Sequence, residues 1–171
     1  MFRNPNYLMF ALFAALTLAT TAQAADEISP QDFVDRASAA GIAEVEAGKL
    51  ALEKGTNPKV KEFAQMMVDE HTAAGKELAA MAKAHKLELN DDATLTDQAK
   101  EKILEMRDGE SFDRAYANNQ VTAHNQAVAL FVKAANSEDQ TIRTFATQVL
   151  PKLEHHLELA KNLASEIGAD Q

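Results

Sequence analysis

Four stretches of roughly 25 residues each carry apolar side chains at helical spacing, and little interrupts any of them. The first opens at Ser29-Pro30, a capping residue followed by proline at the first helical position. Its apolar face runs Val34, Ala37, Gly41, Val45 and Leu52, and Gly55 ends it. The second opens with the same logic at Asn57-Pro58 and carries Val60, Phe63, Ala64, Met67, Leu78 and Met81. The third runs from about Ser111 to Ala135 with Phe112, Tyr116, Val121, Val128 and Phe131. Ser137, with Gln140 three residues on, reads as a capping box for the fourth, which carries Ile142, Phe145, Val149, Leu153, Leu157, Leu163 and Ile167. Strand-like alternation is absent. The expected helices are 30–54, 58–86, 111–136 and 138–167, with a short helix near 97–106.

VKEFAQMM (60–67) and IRTFATQV (142–149) share an apolar-x-x-Phe-Ala phase just after a helix start. This weak repeat points to two helical hairpins joined by residues 87–110. Short loops make the members of each hairpin antiparallel, and a connector of that length runs the height of a bundle. The second and third long helices are then parallel, as in the ferritin-like version of the all-α four-helix bundle. A simple up-down bundle is the alternative topology.

Residues 1–24 read as a leader outside that fold. Arg3 is a positive n-region, Leu8–Leu18 an apolar run, and Ala22-Gln23-Ala24 a small-x-small cleavage site. Cleavage after Ala24 predicts a soluble, periplasmic protein with one domain over residues 25–171. No later stretch is long and apolar enough to span a membrane. The chain has no cysteine, which rules out thiol chemistry. Its net charge is −9, and about −10 once Arg3 leaves with the leader, which disfavours nucleic acid and anionic lipid.

Four titratable residues share the apolar stripes. Glu44 lies three after Gly41 and four before Gly48, where small neighbours make room. His71 is four after Met67, His124 lies between Val121 and Val128, and His156 is seven after Val149 and seven before Leu163. His155 is turned by about 100° from His156 and is expected to face solvent. Counted along the helices, Glu44, His71 and His124 share a level, and His156 lies up to two turns away, on the order of 9 Å. Three imidazoles and a carboxylate suit one Zn, Fe, Mn or Cu ion. A buried hydrogen-bond network, with Glu44 accepting from imidazoles, is the alternative. Pro151, about one turn before His156, removes a helical hydrogen bond to Thr147 and either re-aims His156 or curves the helix. Met66, Met67 and Met81 read as core filling rather than copper ligands. No phosphate loop, HExxH or CxxCH is present.

The phrases AEVEAGKLALEKGTNPKVKEFAQMMVDEH, FDRAY, VTAHNQAVALF and LPKLEHHLELAK resemble the bacterial exported proteins grouped as domain of unknown function 4142, over about residues 29–165. The resemblance implies a ferritin-like fold and no settled activity. Its motif positions fall here on Glu44, Asp69, His71, Phe112, Asp113, Tyr116, His124, Pro151 and His156. The chain departs from di-iron ferritin-like proteins, which use Glu-x-x-His pairs, because Val68 and Leu153 stand three before His71 and His156. A bridged di-iron centre is therefore not expected, and a classical enzyme is disfavoured. The leading expectation is an exported bundle of unassigned function that binds one metal ion or serves in envelope or oxidative stress protection. A metal-dependent oxidoreductase or metal-storage protein is the second. A structural module that docks a second copy or an envelope partner on a helix face is the third.

Overall fold

The computed structural model describes residues 27–90 and 92–169, all helix, turn or loop. The expected leader lies outside the described residues. Five helices follow in order: α1 (Pro30–Lys54), α2 (Pro58–His85), α3 (Leu95–Glu105), α4 (Gly109–Ala135) and α5 (Gln140–Glu166). The two proline-initiated helices start where the sequence places them. The Ser29 hydroxyl accepts from the Asp32 N–H at 3.1 Å, and the Asn57 side-chain Oδ1 from the Lys59 N–H at 2.9 Å.

One expected cap is wrong. Ser137 does not cap the last helix. Its hydroxyl accepts from the Asp139 N–H at 3.1 Å, and Asp139 is the capping residue. The Asp139 carboxylate takes the N–H groups of Thr141 and Ile142 at 2.8 and 3.2 Å. A carboxylate next to the helix start answers two orphan donors and the positive end of the helix dipole, which a hydroxyl two residues further out does not.

α1 packs on α2 and α4 on α5, and the hairpins dock with α1 against α4 and α2 against α5. Asp113 at the start of α4 bonds to Thr56 and Asn57 at the start of α2. α2 and α4 therefore run parallel, and the intervening segment crosses over. It is pinned along α1 from end to end. Gln31 exchanges two hydrogen bonds with Glu88, the Ser38 hydroxyl donates to the Asn90 carbonyl, and Lys54 pairs with Asp108 at 3.3 Å. Gly48 lets α1 and α2 approach closely, because a Cβ there would come within 2.8 Å of the Val68 side chain.

The interior has two apolar layers. Phe33, Phe131 and Phe145 anchor one, with ring centroids 5.1–6.3 Å apart. Phe63, Phe112 and Tyr116 anchor the other, at 6.2–6.3 Å. Each long helix passes from one layer to the other, and at that passage each carries a buried polar residue: Glu44, His71, Gln120 with His124, and His156. Pro151 and Thr147 both lie on the exposed side of α5, so water can reach the carbonyl that the proline leaves without its helical donor.

Candidate metal centre

The polar layer is built around three imidazoles. His71, His124 and His156 come from α2, α4 and α5 and are 9%, 1% and 1% exposed. Their ring centroids stand 5.4–5.5 Å apart. One nitrogen of each ring lies within 4.8 Å of the corresponding nitrogens of the other two. Those on a tetrahedral zinc, with Zn–N about 2.0–2.1 Å, would stand about 3.3 Å apart, so small ring movements close the set.

The tautomers follow from the hydrogen bonds. His124 Nδ1 donates to the Gln120 carbonyl at 3.0 Å, which leaves Nε2 as a lone pair. His156 Nε2 donates to Glu70 Oε2 at 3.2 Å, which leaves Nδ1 as a lone pair. His124 Nε2, His156 Nδ1 and His71 Nε2 are all buried and have no hydrogen-bond partner. Burial, then the neighbouring imidazoles and Lys152, push His71 down to about 3. Burial and His124 push His156 down to about 4, against the opposing pull of Glu70. Both rings are neutral at pH 7, as nitrogen ligands must be. The His156–Glu70 contact is thus a hydrogen bond to a neutral ring rather than an ion pair.

Glu70 was not legible in the stripes. It sits next to His71 but on the flank of α2, where Lys152 reaches it at 3.1 Å. Burial pushes its carboxyl up, and the bonds from Lys152 and His156 outweigh that and hold it below the usual range. In metal sites a carboxylate commonly takes the far N–H of a ligating histidine, fixing its tautomer and ring orientation.

Glu44 stands differently from its expected place. It is buried beside the triad, outside the close nitrogen set, and accepts from Gln120 Nε2 at 2.7 Å. Burial raises its pKa, against His124 and the Gln120 bond. His156 is the third member instead. α5 runs antiparallel to α2, so His156 is counted from the far end of its helix. It lies ten residues from that end, against thirteen from the start of α2 for His71, a difference of about 4.5 Å that a modest axial shift absorbs. Gln120 was also missed, although Tyr116, Gln120 and His124 recur every four residues on α4 and so share one face. His155 is exposed, as its phase predicts. Asp69, on the family motif, is exposed and bonds to Gln65 at 3.0 Å.

A cavity of about 710 Å³ opens over the triad. Its walls include Gly41, Gly75, Leu78, Phe131 and Phe145, and α3 with its preceding loop covers one side through Leu89 and Lys100. Glu44 and all three histidines line it. No helix among the described residues is long and apolar enough to cross a membrane.

The sequence model of the family described as domain of unknown function DUF4142 matches residues 15–163. No protein among the curated ones matches the chain. Two solved structures share the fold. A DUF305 protein from Streptomyces coelicolor, described as secreted, is 16% identical over 81% of this chain and 91% of its own, with a TM-score of 0.70. A DUF305 fragment from Deinococcus radiodurans is 13% identical over 82% of this chain and 99% of its own, with a TM-score of 0.71. At these identities the likeness is one of fold alone.

Proposed function

This chain belongs to the DUF4142 family, and we propose that it is an exported protein that binds one transition-metal ion on His71, His124 and His156. One observation carries the reading: three buried imidazoles, one from each of three helices, bring ring nitrogens within 4.8 Å of one another, and each ring also has a buried nitrogen without a hydrogen-bond partner. An unsatisfied buried polar atom costs about 1–3 kcal/mol, and three together are a standing cost that a bound ion would offset. A hydrogen-bond network without an ion is the poorer account, since Glu44 takes its bond from Gln120 and no imidazole donates to another within the set. The all-nitrogen set suits Zn(II) or Cu(II) better than Mn or Fe(II), which favour carboxylates. Three histidine ligands would leave a fourth position for water or another donor. The secreted description of the Streptomyces relative and the leader-like residues 1–24 support export.

The test is the melting temperature of metal-stripped protein. A ligand present at a hundredfold excess over its dissociation constant stabilises by about 2.7 kcal/mol if it binds only the folded state. Zn(II) or Cu(II) should raise the melting temperature of the wild type and leave His156→Ala and His124→Ala unmoved. No shift with either metal at millimolar concentration would sink the proposal.

A further inference from the structure

We propose that the cavity over the three histidines is a binding site for a small organic carboxylate with an apolar body, whose head group completes the ligand set of the bound ion. This rests on the metal reading above. Three observations carry it. The cavity has a volume of about 710 Å³, inside the range of about 300–1,000 Å³ typical of small-molecule sites. Its lining combines apolar side chains, among them Leu78, Leu130, Phe131 and Phe145, with the three histidines and with charged groups such as Arg36 and Lys49, so it offers both a surface for an apolar body and groups that read a head. Gly41 of α1 and Gly75 of α2 both lie on its lining. A Cβ at Gly41 or at Gly75 would meet no heavy atom within 4 Å, whereas the same atom at Gly48, on the packed part of α1, would collide with Val68.

The charge balance selects an anion. Imidazole ligands bring no negative charge to a divalent ion. Glu70 supplies one negative charge, and Lys152 beside it at 3.1 Å cancels that. Even a fully ionised Glu44 leaves the centre positive. A buried positive centre calls for an anionic partner, and a carboxylate is an oxygen donor for either metal. An amine or a neutral hydrocarbon would leave the excess charge in place. The apolar side chains then favour a longer body, since each methylene that leaves water strengthens binding by about fourfold.

The experiment uses the mature chain loaded with Co(II), whose visible absorption reports the ligands around it, and titrates it with octanoate and with acetate. Octanoate should change the cobalt spectrum saturably and bind at least tenfold tighter than acetate. Gly41→Leu, which places a better helix former into open space, should keep the cobalt spectrum and lose octanoate binding by at least tenfold. Gly75→Leu should do the same from the opposite wall. Cobalt uptake with no response to octanoate overturns this inference and leaves the metal site standing. Octanoate binding that is unchanged in both leucine variants overturns it as well, because the acid would then lie elsewhere. No cobalt uptake, together with no melting shift with Zn(II) or Cu(II), overturns both readings together.

Discussion

Asp113 and the three histidines are buried polar groups on the same bundle, and they are opposites. Asp113, 3% exposed, accepts from the Thr56 N–H at 3.1 Å, the Thr56 hydroxyl at 2.6 Å and the Asn57 N–H at 2.9 Å. It ties the start of α4 to the α1–α2 turn, and Gly55 makes room for it, since a Cβ there would stand 3.2 Å from its oxygen. The triad is also buried, but each of its rings has a nitrogen without a partner. Burial of a polar residue is therefore not what marks a site here. Both clusters were visible as family-like positions in the sequence, and only satisfaction separates the fastener from the receptor.

The largest effect should come from acid. An ordinary histidine titrates near 6.5 when unfolded, whereas His71 and His156 are held down to about 3 and about 4 when folded. The folded state then binds fewer protons than the unfolded one below pH 6.5. The stability these groups carry is full above about pH 6.5 and is lost as pH falls toward about 4. Two such groups make up to about 4 kcal/mol between pH 7.5 and pH 5. Glu44, whose pKa is raised, works in the opposite sense over its own window, and Glu70, Lys152 and His124 face the same ring set. Urea unfolding of metal-free protein across this range should show the fall, and His71→Gln with His156→Gln should flatten it. A wild-type profile that is level from pH 7.5 to 5 would remove the distinction between the two clusters.

Asp113→Ala comes next. It leaves two backbone N–H groups and a hydroxyl at the α1–α2 turn without their acceptor, and should cost about 3 kcal/mol by urea unfolding. Its melting temperature should still rise with metal by as much as that of the wild type. A loss of metal response in this variant would mean that the fastener also belongs to the site.

The fold was largely legible because its signals are local. Ser29-Pro30 and Asn57-Pro58 fix two helix starts by their own chemistry, and the apolar stripes need only a 3.6-residue period. Phase alone put His71, His124 and His156 inside and His155 outside. What phase cannot give is axial position, which depends on how far one hairpin slides on the other. That is why His156 was expected up to two turns from the others, when its ring stands 5.4–5.5 Å from those of His71 and His124. Glu70 was illegible for a related reason. Its role comes from His156 and Lys152 on another hairpin, 86 residues away for the histidine, and nothing in its own neighbourhood records them. The Ser137 error was local: a serine with the right spacing to Gln140 competes with Asp139, and the carboxylate nearer the helix wins.

A smaller effect, of opposite sign, is expected from His71→Leu. The substitution removes an unpartnered buried nitrogen and keeps much of the apolar bulk. Replacing an unsatisfied polar group by an apolar one of similar shape is neutral or favourable, so metal-free protein should hold or gain up to about 1 kcal/mol. The same variant should lose the metal response. Asp113→Leu, by contrast, should be destabilising, because it strands donors rather than removing an orphan. If His71→Leu destabilises metal-free protein by more than about 2 kcal/mol, the nitrogen has a partner and the triad is a fastener too.

The smallest effect belongs to His155→Ala. His155 is one residue from His156 and of the same type, but the helical turn of about 100° carries it to solvent. Chemistry is thus held constant and only position differs. A surface change of this kind stays within about 0.5 kcal/mol, and the metal-dependent rise in melting temperature should be that of the wild type. His156→Ala should lose that rise entirely. The pair is the most economical check on the phase of α5, because Pro151 lies one turn upstream and any rotation it imposed would move both rings together. Loss of the metal response at His155 rather than His156 would mean that the helix beyond the proline presents a different face to α2 and α4, and that the converging nitrogens belong to another set.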